Sequence, residues 1–340
     1  MNQPDHNSTA VLLLAHGTPN VLGEMPAYLA KVTGGRPLPP SVVAELQHRY
    51  AQIGLGETPS PEPPPLTRWT FAQARLLESA LAAAGHPLRV YAAMRNWRPF
   101  IPDVVAKMRA DGVNRILALC LAPQNSSTST GLYRRALTSA IEAESQSPSV
   151  PKPSLTFVES WSEEPSLIEA FAQRLADTYP RACAESASAA AGTAAESLPV
   201  LFTAHSVPCR TIQPTESNPA PDPYPIEAKR TAELVFAAAA RQLPNLKKWF
   251  FAFQSQGVAG GPWIGPTVED TLAAIRAEGH PALVLQPIGF LCDHVEVLYD
   301  IDIAFAATAR TLGLRLFRTE SLNGSPLLTQ ALLRVVLANT

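Results

Sequence analysis

At 340 residues, the chain has room for two domains of ordinary size. A composition of 46% hydrophobic and 16% charged residues supports filled cores and excludes wholesale disorder. The net charge of −2 offers no general basic field, which argues against nucleic acid as a partner.

The first predicted strand, Ala10–Ala15, lies in V-L-L-L-A-H-G-T-P. This short apolar run stops at His16. Asn20–Leu66 then reads as an insertion: short helices over Met25–Val32 and Val42–Ile53, joined by G-G-R-P-L-P-P. The stretch E-T-P-S-P-E-P-P-P at 57–65 cannot be helical and reads as extended surface chain. The insertion is expected either to wall a cleft at the top of the first strand or to be a solvated decoration. Further strands are expected at Leu88–Ala93, Arg115–Ala122 and Leu155–Glu159. Helices are expected at Thr67–Ala84, Phe100–Ala110 and Leu167–Tyr179.

Ala182–Ser197 is almost entirely Ala, Ser, Gly and Glu. It lacks the large apolar side chains that offset ordering entropy and reads as a linker or a frayed helix extension. Beyond it come four more strands, Val200–Ala204, Trp249–Gln254, Ala282–Phe290 and Leu314–Arg318. Their helices are Ile226–Arg241, Val268–Ala277 and Pro326–Leu337. The first of these strands lies in L-P-V-L-F-T-A-H-S-V-P and ends at His205, as the opening strand of the chain ends at His16. Later strands of the two sets are offset by roughly 160 residues along the sequence.

Strands alternating with helices imply βαβ units and parallel sheets. The expected fold is α/β, an internal duplication of two Rossmann-like halves, each with a four-stranded parallel sheet. The halves span 10–181 and 198–325, joined by the 182–197 linker, and a carboxy-terminal helix covers 326–340. Ligands of such sheets bind at the strands' carboxyl ends, which puts both histidines at the mouth of a cleft. No apolar run approaches the ~20 residues of a membrane span. The amino terminus lacks the basic start and apolar segment of a signal peptide, so the expected location is cytoplasmic.

After the apolar run ending at Phe290 comes D-H-V-E-V-L-Y-D-I-D at 293–302. If helical, it puts Glu296 and Asp300 on one face. Two acids near a neutral imidazole make a metal site or a proton relay; a solvated helix face with Asp293 and His294 as caps is the competing reading. Strand ends also gather M-R-N-W at 94–97, P-Q-N-S-S at 123–127, Q-S-Q at 254–256 and P-W-I-G at 262–265. Flat rings with hydroxyl and guanidinium groups suit a planar ligand carrying carboxylates, although Trp263 equally suits core packing. The cysteines Cys120, Cys183, Cys209 and Cys292 are scattered and form no C-x-x-C pair. No iron–sulfur cluster or disulfide framework is expected. No first turn carries a Gly-rich phosphate loop.

These residues bring a family into view. The chain resembles the ferrochelatases through A-H-G-T-P at 15–19, R-N-W-R-P-F at 95–100, L-A-P at 121–123, V-E-S-W at 158–161, T-A-H-S-V-P at 203–208, D-P-Y-P at 222–225, Q-S-Q at 254–256, P-W-I-G-P at 262–266, D-H-V-E-V-L-Y-D at 293–300 and E-S-L-N-G-S-P at 320–326. The resemblance implies insertion of ferrous iron into a porphyrin bound between two similar halves, with no cofactor beyond the iron. By position it implies His205 and Glu296 as the catalytic and metal-facing pair, with Asp300 next. Tyr133 and Trp263 would line the porphyrin, and Arg36, Arg95, Ser126 and Ser127 are candidates for its propionates. His16 stands where relatives carry Tyr or Met. It is expected either to ligate the product iron or to bond a neighbouring backbone carbonyl. The segments 25–36 and 95–97 resemble coproporphyrin-type members and favour coproporphyrin III. E-S-L-N-G-S-P resembles protoporphyrin-type members and keeps protoporphyrin IX as the alternative. A carrier that holds a tetrapyrrole or iron without chemistry gives no reason for the acids at 296 and 300.

Overall fold

A computed structural model describes residues 8–144, 152–189, 197–214, 221–257 and 261–340. The first sheet contains β1 (Thr9–Ala15), β2 (Arg89–Met94), β3 (Arg115–Cys120) and β4 (Ser154–Val158), all parallel, in the order β2-β1-β3-β4. The second contains β5 (Val200–His205), β6 (Trp249–Gln254), β7 (Ala282–Pro287) and β8 (Arg315–Arg318), also parallel, in the order β6-β5-β7-β8. The two orders are the same when each sheet is numbered from its own first strand, as expected of a duplication. Within each sheet the first strand is central. Val11–Leu13 and Val200–Phe202 are inaccessible to solvent, because helices on both faces of a parallel sheet require a continuous apolar run.

The insertion forms α1 (Met25–Val32) and α2 (Pro40–Gln52), and the proline-rich stretch is exposed up to Pro63. Pro65 opens α3 (Pro65–Ala83), where its missing N–H costs nothing in a first turn. Next come α4 (Ile101–Ala110), α5 (Thr130–Glu144), α6 (Pro165–Ala189), the one-turn α7 (Cys209–Ile212), α8 (Tyr224–Ala240) and α9 (Val268–Ala277). The chain closes with α10 (Val295–Leu298), a wide π-type turn over Asp300–Phe305, α11 (Ala306–Thr311) and α12 (Pro326–Leu337). No helix among the described residues is long and apolar enough to cross a membrane.

The chain divides into two compact units, 1–123 with 129–161 and 329–340, and 124–128 with 162–328. This moves the expected boundary upstream. Helix α6 belongs to the second unit, where Gln286 on β7 donates to the Phe171 carbonyl and Tyr179 bonds the Leu198 backbone. Residues 182–189, read as a linker or a helix extension, continue α6; 190–196 lie outside the described residues. Most of the carboxy-terminal helix joins the first unit, where Arg115 donates to the Asn339 and Thr340 carbonyls.

Gly17 shows why β1 ends where it does. Its φ is +89°, and a Cβ there would stand 2.8 Å from the Trp97 nitrogen and 3.1 Å from the Met94 Cβ. The turns after β1 and β2 are thereby pressed together, and Arg95 and Asn96 donate their N–H groups to Ala15 and His16. Gly17→Ala adds left-handed strain of ~1–2 kcal/mol to a backbone collision. We expect it to lower the Tm by several degrees in a calorimetric scan; an unchanged Tm would show that the two turns separate freely.

Candidate active site

The second unit assembles a cluster around His205. The residue closes β5 opposite Gln254 on β6. Pairing with β7 has by then stopped at Thr203, so the backbone at His205 needs another partner and hydrogen-bonds the buried Tyr224 phenol. Burial raises the Tyr224 pKa, and the charge of Glu296 raises it further. The phenol stays protonated.

The His205 ring has one nitrogen fixed. Nδ1 lies 2.5 Å from the Ser206 carbonyl, an oxygen that can only accept, so Nδ1 carries the proton. Nε2 is then left with its lone pair, 3.7 Å from the Glu296 carboxylate. Two electron-pair donors thus face each other across a gap wider than a hydrogen bond. Such a span can take a metal ion between the two donors. Both side chains are about one-third exposed, so the pair is reachable.

Glu296 is held by its neighbours. Its backbone carbonyl accepts from the Gln254 amide at 2.8 Å. The other carboxylate oxygen lies 3.8 Å from His294 Nε2, whose Nδ1 bonds the Cys292 carbonyl and whose ring packs edge-on against Phe290. Burial pulls the His294 pKa down, but the nearby carboxylate of Glu296 and the Cys292 carbonyl outweigh it and raise the pKa overall. Asp300 accepts from the Ser255 hydroxyl at 2.5 Å, and Ser255 adopts a left-handed φ of +59° to reach it. The expected regular helix is in fact one α-turn followed by the wider turn, in which the Ala304 N–H reaches back five residues to Tyr299. Trp263 stands beside His205 with ring centroids 6.4 Å apart.

In the first unit, the Arg95 guanidinium lies 5.5 Å over the Tyr133 ring, and Tyr133 is buried. Arg95 Nε is buried without a hydrogen-bond partner. No carboxylate among the described residues pairs with Arg95. A guanidinium with no protein carboxylate beside it can take up one from a ligand. Arg36 lies exposed after α1 and bonds the Thr33 carbonyl.

Three expectations change. His16 has both ring nitrogens engaged: Nε2 with the Asn96 amide at 2.8 Å, Nδ1 with the Gly17 carbonyl at 3.1 Å and the Tyr28 hydroxyl at 3.2 Å. Of the two expectations for it, the backbone-carbonyl bond is the one present, and as placed the ring has no lone pair for iron. Ser126 is fully buried, and its hydroxyl and that of Ser127 donate to Asp222. Asp222 also takes the Ser127 N–H and the Tyr224 N–H. A carboxylate already on these hydroxyls repels a propionate, so they tie down the turn that follows β3 instead.

Sequence reasoning missed Ser255, Tyr224, Asp222 and Asn96 as supports. The motifs Q-S-Q, D-P-Y-P and R-N-W marked each stretch, but which backbone group each side chain serves depends on the fold. Among the described residues, no group of three His, Cys, Asp or Glu side chains is arranged to hold a metal. Burial pushes the Cys292 thiol up to about 12 and raises that of Cys120. Such thiols stay protonated and are poor metal ligands.

The ferrochelatase family model matches residues 8–340. A ferrochelatase of Acidobacterium capsulatum is 50% identical over 334 residues, covering 96% of this chain and 93% of the relative. A coproporphyrin III ferrochelatase of Geobacillus thermodenitrificans is 30% identical, covering 97% of this chain and 95% of the relative. The sirohydrochlorin chelatase SirB from Bacillus subtilis, in complex with cobalt, shares the fold with a TM-score of 0.53 at 11% identity, covering 98% of this chain and 95% of that one.

Gly257 governs Trp263. A Cβ at 257 would stand 2.7 Å and 2.8 Å from two indole carbons, so Gly257→Ala must tilt the ring. We expect the near-ultraviolet circular dichroism to change while the far-ultraviolet spectrum is retained. Identical near-ultraviolet spectra would show that the indole does not rest on Gly257.

Proposed function

The chain belongs to the ferrochelatase family and inserts ferrous iron into a porphyrin; from that premise we propose that the insertion centre is His205 with Glu296. The observation that supports this reading is the fixed tautomer of His205, whose unprotonated Nε2 faces a carboxylate at 3.7 Å. Metal insertion requires two pyrrole protons to leave as the ion arrives. The unprotonated nitrogen of an imidazole can accept a proton. A carboxylate can hold hydrated iron as a hard oxygen donor. With only two protein donors, the ion keeps its other positions for water and then for the ring nitrogens. Asp300, steadied by Ser255, is the next acid along the segment and serves the same traffic of ions or protons. Trp263 offers a flat apolar wall beside His205 for the macrocycle.

Arg95, stacked on Tyr133, receives a substrate carboxylate. Its charge and its unpartnered Nε support this role. His16 acts through the turn it secures: by bonding Asn96 it orders the stretch that presents Arg95. The preferred substrate in this reading is coproporphyrin III. Relatives named for that activity align over nearly the whole chain, and four propionates use a guanidinium receptor more fully than two.

In an anaerobic assay with ferrous iron, followed by absorbance, His205→Ala and Glu296→Gln should each lose at least ~100-fold in kcat, within the ~10²–10⁴-fold range of positioned acid–base groups. Porphyrin binding, read by fluorescence quenching, should survive in both. Turnover within tenfold of wild type in His205→Ala would remove it from the centre.

The same assay run with both porphyrins should give the higher kcat/KM for coproporphyrin III, and Arg95→Leu should penalise coproporphyrin III more than protoporphyrin IX. A wild-type preference for protoporphyrin IX would reverse the substrate assignment.

A further inference from the structure

The segment Asp293–Asp302 carries His294, Glu296 and Asp300, yet its own backbone is a weak scaffold. It holds one four-residue α-turn whose preceding residue, His294, gives no side-chain cap, and then a wide π-type turn; Val297, Ile301 and Phe305 set one face in the core, which leaves the polar ends to other partners. It also concentrates negative charge, with Asp293, Glu296, Asp300 and Asp302 within ten residues. Something outside the segment must hold it in place and offset that charge.

The holding comes from β8 and the E-S-L-N-G-S-P stretch that follows it. At one end of the segment, Asp293 accepts from the Ser321 hydroxyl at 2.7 Å and the Asn323 amide at 2.9 Å. Its own N–H donates to the Asn323 side-chain oxygen at 2.9 Å. Asn323 takes a left-handed φ of +49°, a conformation Asn tolerates better than most residues. At the other end, Arg318 forks onto Asp302, Nε to one oxygen at 2.6 Å and Nη2 to the other at 2.9 Å. The third nitrogen, Nη1, donates to the Thr319 carbonyl at 3.0 Å and lies 3.7 Å from Asp293. One guanidinium therefore touches both ends of the segment. Its side chain is only 18% exposed, so its charge is poorly screened and its loss would strand two carboxylates.

We propose that Arg318 is a positioning residue for iron insertion: it pins both ends of the Asp293–Asp302 segment and so sets where Glu296 and Asp300 stand. This rests on the reading of Glu296 given above. A lysine supplies the charge but not the planar two-point fork, so the geometry distinguishes the two cations.

The test compares Arg318→Leu, Arg318→Lys, Asp302→Asn, the double variant Arg318→Leu/Asp302→Asn and Glu296→Gln. Ferrous iron and coproporphyrin III are the substrates, and rates are normalised to active sites titrated by porphyrin fluorescence quenching. Arg318→Leu should lose roughly ten- to a hundredfold in kcat, as expected when reacting groups are misplaced by about an ångström, with the porphyrin KM within twofold of wild type. Arg318→Lys should fall between. The double variant should regain part of the kcat lost in Arg318→Leu, because one of the two stranded charges is gone. Asp302→Asn alone should lose less than Glu296→Gln. If Glu296→Gln is inactive while Arg318→Leu keeps wild-type kcat, or loses only Tm, the positioning role is overturned and the reading of Glu296 stands. If Glu296→Gln itself turns over normally, the reading of Glu296 fails and the role of Arg318 falls with it. Should Arg318→Leu not fold, wild-type kcat in both Arg318→Lys and Asp302→Asn overturns the proposal, and a matched loss in both with porphyrin KM unchanged supports it.

Discussion

The site depends on one hydrogen bond, from His205 Nδ1 to the Ser206 carbonyl. A histidine at the end of a parallel strand can present either ring nitrogen, and in water its two tautomers exchange. Here a backbone oxygen takes the proton at one nitrogen, and the lone pair at the other is directed toward Glu296. The next layer of contacts keeps that relation constant: Tyr224 beneath the His205 backbone, Gln254 on the Glu296 carbonyl and Ser255 on Asp300. None of these supports touches a substrate in this account. Each fixes a group of the proposed centre.

The duplicated strand ends illustrate how one local sequence acquires two chemistries. Both β1 and β5 close with Ala-His, and both lie at the centre of a parallel sheet of the same order. After β5 the chain leaves Nε2 open. After β1 the neighbouring turn supplies Asn96, which bonds Nε2, while Tyr28 from the insertion approaches Nδ1. Tyr28 is in turn surrounded edge-on by His16, Tyr50 and Trp97, so the ring sits in an aromatic cage with all its polar atoms satisfied. A partly buried imidazole without partners would be costly, and the first unit removes that cost by engaging both ring nitrogens. The second unit leaves Nε2 of His205 available for chemistry.

Much of this was legible in the sequence. All eight strands were placed to within a few residues, because a fully buried parallel strand is a continuous apolar run bounded by turn residues. The strand end at His205 was legible because it closes such a run, whereas Glu296, six residues past Phe290, was singled out chiefly by the family resemblance. The long α6 was cut short because its second half, rich in Ala and Ser, has little apolar surface of its own, and the unit boundary was misplaced with it. Helix α5 was overlooked because Thr130–Glu144 follows a polar stretch and mixes Thr, Ser and Arg into its apolar stripe. Ser126 and Ser127 were assigned to a ligand because a hydroxyl's partner is not written in its own neighbourhood; Asp222 lies about ninety residues further on.

The donor count at His205 and Glu296 follows from what an inserting enzyme must avoid. A site that holds a metal for structural reasons surrounds it with protein ligands and closes the coordination shell. An ion so held would not be released to a porphyrin, whose four nitrogens must replace whatever the protein contributes. Two donors 3.7 Å apart, both partly exposed, can orient an ion and accept protons while leaving most of its positions to be exchanged. Asp300 has one oxygen, Oδ2, engaged by the Ser255 hydroxyl, and His294 is turned aside by the Cys292 carbonyl at one nitrogen and the far oxygen of Glu296 at the other. Among the described residues no third His, Cys, Asp or Glu side chain completes a metal-holding group with this pair, and on the proposed reading that open shell is what lets an ion pass on to the porphyrin.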